Sequence, residues 1–372
     1  MKIINFIPTL GLGGAEKFLV QLCNTLAKDE KNKVTLCTLY GPEHNDNNLI
    51  KELNPKVELV QFNKKSGFSL GAIFAIIRYL MNERPDVVNS HIGAIKYLLF
   101  AIILIRKTAF FHTIHTYPEK EEKNKLVVFV KKILSKSKRL NLIALSEISV
   151  KNAQLFYNLD FVKAIPNGIS FKTFEDQDVK NDLVKLRFDS ETKLIAHVGR
   201  IHPVKNQKMM TDAFRTLFAE GLNIALIFIG YSTEEHKDIE KSLFSEKSKN
   251  IHFLGKKSNA ISYVKYCDGF TLSSFYEGFP ISLLESLSVG TIPLCVPVGG
   301  IPDIISHGYN GFLSKDSSPE NYLNMLRIFA DLSHSEINRY RENAVKSYLE
   351  KFTMVDCANE YQKFYIQKLI KN

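Results

Sequence analysis

Residues 273–285 read Ser273-Ser274-Phe275-Tyr276-Glu277-Gly278-Phe279-Pro280-Ile281-Ser282-Leu283-Leu284-Glu285, followed by Ser286 to Val289 and then Gly290. The apolar run Gly269 to Leu272 just before them has the length and composition of a buried strand. Pro280 suits the first position of a helix, where its missing N–H is not needed, and Gly290 suits the left-handed residue just past a helix end. A strand, a polar loop and a helix therefore follow one another, the repeating unit of a parallel α/β sheet. Glu277 falls in the loop. The N–H groups of the first helical turn, from about Ile281 to Leu283, lack partners inside the helix and can hold a phosphate. Glu277 and Glu285 can accept hydrogen bonds from sugar hydroxyls, although Glu is also a common solvated helix residue.

The same alternation extends in both directions. Strand candidates in the first half are Ile3 to Ile7, Val34 to Leu39, Val57 to Phe62, Val87 to Ser90, Ala109 to Ile114 and Leu142 to Leu145. In the second half they are Leu194 to Val198, Ala225 to Ile229, Ile251 to Leu254, Gly269 to Leu272, Ile292 to Cys295 and Gly311 to Leu313. Amphipathic segments separate them, so two α/β units stand in series, as 372 residues lead one to expect. Between them Ile165-Pro166-Asn167-Gly168-Ile169 carries turn chemistry, which divides the chain into residues 1–167 and 168–350. The polar stretch Phe171 to Leu186 reads as a surface connection.

Composition is that of a globular protein, 45% hydrophobic and 24% charged. Residues 1–167 hold 24 Lys and Arg against 14 Asp and Glu, and the remainder holds 25 of each sign, so the formal charge of +10 sits on the first half. Such a field attracts anionic lipid, phosphorylated carriers or nucleic acid, or serves solubility alone. Cys23, Cys37, Cys267, Cys295 and Cys357 are odd in number and irregularly spaced, which points to reduced core thiols and a cytoplasmic setting. The apolar N-terminus runs at once into Pro8 and glycines, too short for a signal peptide. The longest apolar run, Tyr97 to Ile105, falls far short of a membrane span, so membrane contact is expected to be peripheral.

Further candidates follow from position. Pro8-Thr9-Leu10-Gly11-Leu12-Gly13-Gly14-Ala15-Glu16 links strand one to a helix with Phe18, Leu19, Leu22 and Leu26 on one face. Its glycines let backbone amides approach an anion, but Glu16 stands where the dinucleotide fingerprint needs glycine, which disfavours a nicotinamide dehydrogenase. Arg200 and Lys205 follow the strand Leu194 to Val198, where open α/β sheets bind ligands, and suit a diphosphate. Asp176-Gln177-Asp178 is a literal DxD in a polar linker, read as a surface pair and not a metal site. His91 follows a strand and is either a substrate contact or a buried structural residue; His112, His197 and His252 sit in apolar strands and read as core. Leu126 to Leu140 forms a basic amphipathic helix, with Lys131, Lys132, Lys136 and Lys138 among Leu126, Phe129, Val130, Ile133 and Leu134. It either lies on an anionic bilayer or packs on the sheet with a solvated lysine face.

Glu277 to Glu285 match the EX7E signature, and with it the chain resembles the retaining glycosyltransferase family 4. Gly13-Gly14-Ala15-Glu16, His115 in Thr113-Ile114-His115-Thr116, Pro166-Asn167-Gly168, and Gly199-Arg200 with Lys205 look like that family's landmarks in the same order. The resemblance implies a GT-B fold, two Rossmann-like domains with parallel sheets facing across a cleft, and a C-terminal helix in residues 351–372 crossing back to the first domain. It implies that Arg200 and Lys205 contact the donor diphosphate and that Glu285 contacts the ribose. Glu277 with the backbone of Gly278 and Phe279 would hold the transferred sugar, beside the helix start Pro280, Ile281 and Ser282. The backbone around Gly255 and Lys256 would meet the base. His115 would approach the sugar, and the amides of Gly13 and Gly14 the distal phosphate after domain closure. By the same resemblance the activity is retaining, hexosyltransferase-type and metal-independent, with no cofactor and a UDP-linked donor expected. The acceptor would be a glycan or lipid-linked molecule of polysaccharide, lipopolysaccharide or glycoconjugate assembly at the cytoplasmic membrane face. A nucleotide-sugar epimerase of the same fold is disfavoured by the EX7E arrangement. A non-catalytic protein using the basic half on nucleic acid ranks last, for want of an aromatic-studded basic motif, and no nucleic-acid partner is expected.

Overall fold

The computed structural model describes residues 1–11, 13–170, 175–245 and 248–370. Leu12 of the first glycine loop and residues 171–174 of the polar connection lie outside them. The chain divides into two compact units, residues 1–170 with 352–372, and residues 171–351.

Unit 1 is a seven-stranded parallel sheet, β1 (Lys2–Ile7), β2 (Lys33–Thr38), β3 (Val57–Gln61), β4 (Val87–His91), β5 (Ala109–Ile114), β6 (Leu140–Ala144) and β7 (Lys163–Ala164), in the order β3-β2-β1-β4-β5-β6-β7. Its helices are α1 (Gly14–Leu26), α2 (Asn47–Lys51), α3 (Leu70–Glu83), α4 (Ile95–Leu104), α5 (Pro118–Glu121), α6 (Lys125–Lys136) and α7 (Glu147–Tyr157). Strand residues on both faces are buried; Ile3, Ile4, Phe6 and Ile7 are all fully so, as a parallel sheet covered on two sides requires. α1 buries Phe18, Leu19, Leu22 and Leu26. Side-chain caps start the others where the sequence offers them: Ser69 accepts from the Ala72 amide, Asn124 from Leu126 and Val127, and Ser146 from Ser149.

Unit 2 repeats the scheme with six parallel strands, β8 (Lys193–Val198), β9 (Ile224–Ile229), β10 (Ile251–Phe253), β11 (Gly269–Leu272), β12 (Ile292–Cys295) and β13 (Phe312–Leu313), ordered β10-β9-β8-β11-β12-β13. Its helices are α8 (Gln177–Val184), α9 (Gln207–Ala219), α10 (Lys237–Phe244), α11 (Ala260–Lys265), α12 (Ile281–Ser288), α13 (Ile301–Ile304), α14 (Pro319–Ala330) and α15 (His334–Lys351). α16 (Met354–Ile370) belongs to unit 1. It buries Tyr361, Phe364 and Tyr365 there, with Phe364 and Tyr365 against Phe111 of β5.

Four features depart from or add to the sequence reading. Pro280 is the residue that caps α12, with extended backbone (φ −71°, ψ 120°), and Ile281 is the first helical residue. The Leu283 amide then bonds back to the Pro280 carbonyl at 3.2 Å, which leaves Ile281 and Ser282, not Leu283, heading the helix. The segment around Gly168 is not a turn. Glycine is needed there because a Cβ would lie 2.3 Å from the Thr353 carbonyl oxygen, and Ile169 and Thr353 form a parallel bridge. Asp176 of the DxD caps α8 by accepting from the Val179 amide. The largest departure is α6: Lys131 is fully buried, while Leu126, Phe129 and Ile133 are exposed. Glu121 of α5 sits 4.0 Å from the Lys131 ammonium and draws that face of the helix inward.

Candidate active site

In each sheet one strand pair has its connections running off in opposite directions, β1 with β4 and β8 with β11. Ligands of open α/β sheets bind beyond the carboxyl ends of such a pair. In unit 2 that position is occupied by the loops after β8 and β11. Arg200 follows β8 and is exposed. Lys205 closes a short 3₁₀ turn begun by Pro203 and capped by the His202 ring, which accepts from the Val204 amide. The two loops are bonded together, since the Phe275 amide donates to the Val204 carbonyl at 2.8 Å and the Ser273 hydroxyl to the carbonyls of Lys205 and Asn206. Beneath them His197 is buried between the Thr271 carbonyl (3.0 Å) and the Gln207 side chain (3.3 Å). Gln207 also donates to the Arg200 carbonyl.

This bracing brings Lys205 and Glu277 together. The ammonium lies 2.7 Å from Glu277 Oε1, and the Ser274 hydroxyl donates to the same oxygen at 2.6 Å. Glu277 is 8% exposed, so its charge is held by partners and not by bulk water. The backbone of the loop is fixed from below: the Gly300 amide donates to the Gly278 carbonyl at 2.8 Å, and Gly299, at φ +57°, passes so close that a Cβ would fall 1.8 Å from the Glu277 carbonyl oxygen. Glu285 lies half-buried about one turn into α12. Lys256, after β10, is exposed with its ammonium 5.6 Å from the centre of the Tyr231 ring.

In unit 1 the corresponding position holds the start of α1 and the ends of β4 and β5. Gly13 caps α1 with extended backbone, and the Glu16 carboxylate folds back over it, occupying the space a Cβ would take. His91 ends β4, fully buried, and its Nδ1 lies 2.9 Å from Nε2 of His115. His91 Nε2 meets Asn89 at 3.1 Å, and Asn89 donates onward to Thr113 and to the Tyr365 hydroxyl. Phe18 of α1 packs its ring edge-on to His115 at 5.9 Å. Burial lowers the His115 pKa to about 4, so the ring is a neutral imidazole near pH 7. The chain of contacts fixes its orientation.

Residues 12–172 match the sequence model of glycosyltransferase family 4, and residues 178–347 that of the glycosyl transferases group 1. The chain belongs to the family 4 glycosyltransferases. Over 97% of its length it is 26% identical to an uncharacterized glycosyltransferase of Methanocaldococcus jannaschii, covering 96% of that protein. It is 23% identical, over 94% of the chain and 96% of the relative, to the Escherichia coli UDP-Gal:alpha-D-GlcNAc-diphosphoundecaprenol alpha-1,3-galactosyltransferase. Among solved structures, Anabaena HepE in complex with UDP and glucose superposes with a TM-score of 0.77 at 18% identity, over 99% of this chain and all of that one. The fold of the glycosyltransferase is GT-B, two Rossmann-like domains.

Of the glycosyltransferase residues singled out from sequence, Arg200, Lys205, Lys256, Glu277 to Ser282 and Glu285 lie in unit 2, and Gly13, Gly14 and His115 in unit 1. Sequence reading assigned Lys205 and Glu277 to different parts of a substrate; the structure makes them a pair. It missed Ser274 as the second holder of Glu277. It also missed Gly299, although the Gly299-Gly300 doublet after β12 is a recognisable signal of close backbone approach. His91 proves to be a buried support for His115. His252 is less well satisfied than a core reading implies, because its Nε2 has no hydrogen-bond partner. Among the described residues no group of three or more His, Cys, Asp or Glu is placed to hold a metal ion, and no helix is long and apolar enough to cross a membrane.

The depressed histidines are expected to make the glycosyltransferase acid-sensitive. His115 and His197 are both depressed to about 4, and His91 and His112 are also lowered, in each case chiefly by burial. In the unfolded chain these rings titrate near 6.5, roughly the free value. Between those limits the unfolded state binds more protons, so stability is full above the unfolded value and is lost as pH falls towards 4. The thermal midpoint is expected to drop between neutrality and mild acid, before ordinary carboxylates titrate. His197→Gln, which keeps both neighbours bonded, should flatten that slope; an unaltered slope would mean His197 does not contribute.

Proposed function

We propose that this glycosyltransferase transfers a sugar, with retention of anomeric configuration, from a UDP-linked donor to a lipid-linked or glycan acceptor in cell-surface polysaccharide or glycoconjugate assembly. The reading rests above all on the paired Lys205 and Glu277 at the head of α12, with Glu285 eight residues beyond Glu277 on the same helix. The names of the relatives support the donor and acceptor classes: the Escherichia coli enzyme uses UDP-Gal and a diphosphoundecaprenol-linked sugar, and Anabaena HepE is seen with UDP and glucose.

Arg200 and Lys205 carry positive charge to the departing diphosphate, and the amides of Ile281 and Ser282 add the partial charge of a helix start. Glu277, with the backbone of Gly278 and Phe279, accepts from hydroxyls of the transferred sugar. Glu285 takes the ribose hydroxyls, and the backbone around Gly255 and Lys256 meets the base. Neutral His115 contributes a hydrogen bond to the sugar, and the amides of Gly13 and Gly14 contribute to the outer phosphate. The leaving diphosphate oxygen takes the acceptor hydroxyl proton as the acceptor oxygen bonds to the anomeric carbon on the departing face. These charges meet the electrostatic demand without a metal, so activity should survive chelation. The enzyme works at the cytoplasmic face of a membrane, with residues 126–140 contributing to its docking.

The test is binding and slow hydrolysis of uridine, guanosine and adenosine diphosphate sugars by the purified chain with chelator present. Selective engagement of one uridine diphosphate sugar, lost in Glu285→Ala, is the expected result. Engagement of none, or engagement indifferent to Glu285→Ala, would remove the donor assignment.

A further inference from the structure

α6 carries apolar side chains on both sides: Val127, Val128, Val130 and Leu134 pack inward on the core, while Leu126, Phe129 and Ile133 face outward. It turns Lys131 fully inward, where the ammonium lies over the Tyr157 ring at 5.1 Å and opposite Glu121, and Lys131 Nζ and Glu121 Oε2 lack hydrogen-bond partners. It turns Leu126 and Phe129 outward, 70% and 59% exposed. Exposing these side chains to water costs free energy that an apolar outer medium would remove.

The outward face does not end at α6. α4 packs beside it and exposes Phe100 and Leu104; α3 packs beside α4 and exposes Phe74 and Met81, each more than half. A groove of about 450 Å³ between α4 and α6 is floored by Leu99, Val127 and Val130. Ten of the exposed large hydrophobic residues of the described chain fall between residues 68 and 133. Such a concentration of exposed apolar side chains on three neighbouring helices marks an interaction surface.

Charge selects the occupant. Residues 64–140 carry fifteen Lys and Arg against five Asp and Glu. Two of those five are tied up inside, Glu121 by His112 and Glu122 by Lys96. A second copy of this chain would bring the same basic rim against itself, whereas an anionic headgroup layer over hydrocarbon complements both the rim and the patch. We propose that the joined outer faces of α3, α4 and α6 are the surface on which the enzyme rests on a bilayer containing anionic lipid, the apolar stripe entering the acyl boundary and the lysines meeting headgroups. This deepens the membrane-face reading above and rests on it. It replaces the lysine face of α6 alone, since Lys131 faces the interior.

The experiment is co-sedimentation of the full chain with vesicles of phosphatidylcholine alone and of phosphatidylcholine with phosphatidylglycerol, at low and high salt. The wild type should bind the anionic vesicles, with salt weakening the binding without abolishing it. The triple variant Phe100→Ser, Leu126→Ser, Phe129→Ser removes only exposed side chains and should bind at least about tenfold more weakly, the two-signal anchor having lost its apolar half. Its uridine diphosphate sugar hydrolysis should be unchanged. Equal vesicle binding by the triple variant, no binding by the wild type, or a concentration-dependent dimer that the triple variant dissociates would each overturn the proposal. Hydrolysis is read in the same samples, so vesicle binding by a chain that engages no donor would count against the catalytic reading and leave this surface standing.

Discussion

Lys205→Met is expected to lower donor turnover by on the order of 10²–10³, the usual effect of removing one preorganised group facing developing negative charge. Methionine keeps much of the stem's volume while deleting the charge, so packing around the 3₁₀ turn persists. In the resting enzyme the ammonium is paired with Glu277 at 2.7 Å. Removing it leaves a nearly buried carboxylate held by Ser274 alone, at a stability cost of about 1–3 kcal/mol. Two readouts separate the effects: a modest fall in the denaturation midpoint reports the lost pair, and kcat reports the lost charge on the leaving diphosphate. Lys205→Arg, which retains charge with altered reach, should recover stability more fully than rate. A Lys205→Met enzyme with kcat within about threefold of wild type would take Lys205 out of the mechanism.

Gly299→Ala should be nearly as damaging, and through backbone alone. At φ +57° any L side chain is strained, at roughly 1–2 kcal/mol. Here the added Cβ would also fall 1.8 Å from the Glu277 carbonyl oxygen, a backbone atom that can retreat only by moving the loop carrying Glu277 and Gly278. We expect destabilisation of more than about 2 kcal/mol and donor affinity too weak to measure. Gly308→Ala is the control, since Gly308 has φ +76° with nothing within 4 Å of a new Cβ. It should show the conformational penalty of about 1 kcal/mol and no change in donor binding. Equal behaviour of the two variants in donor binding would mean the close approach at Gly299 does not shape the site.

What could be read from sequence was local. β-branched runs and their punctuation mark twelve of the strands, because a strand buried on both faces must be apolar over its whole length. The missing one, β7, is the two residues Lys163–Ala164, too short to leave a pattern. The Glu277 to Glu285 spacing was legible because both ends lie within one loop-helix segment. The Lys205 to Glu277 pair was not, because the sheet brings together residues 72 positions apart. Periodicity identified α6 as amphipathic without revealing which side faces inward. That depended on Glu121, in a separate short helix, whose buried carboxylate gives Lys131 a partner.

Unit 1 is built from two pieces of chain with unit 2 encoded between them. The second piece, α16, supplies the Tyr361 and Tyr365 hydroxyls that meet Thr113 and Asn89, and so completes the contacts behind His91 and His115. During translation, unit 2 can therefore finish folding while unit 1 still waits for α16 to leave the ribosome. A nascent chain interrupted between residues 351 and 354 would carry a complete unit 2 and, in unit 1, a histidine pair still lacking the tyrosine contacts of α16.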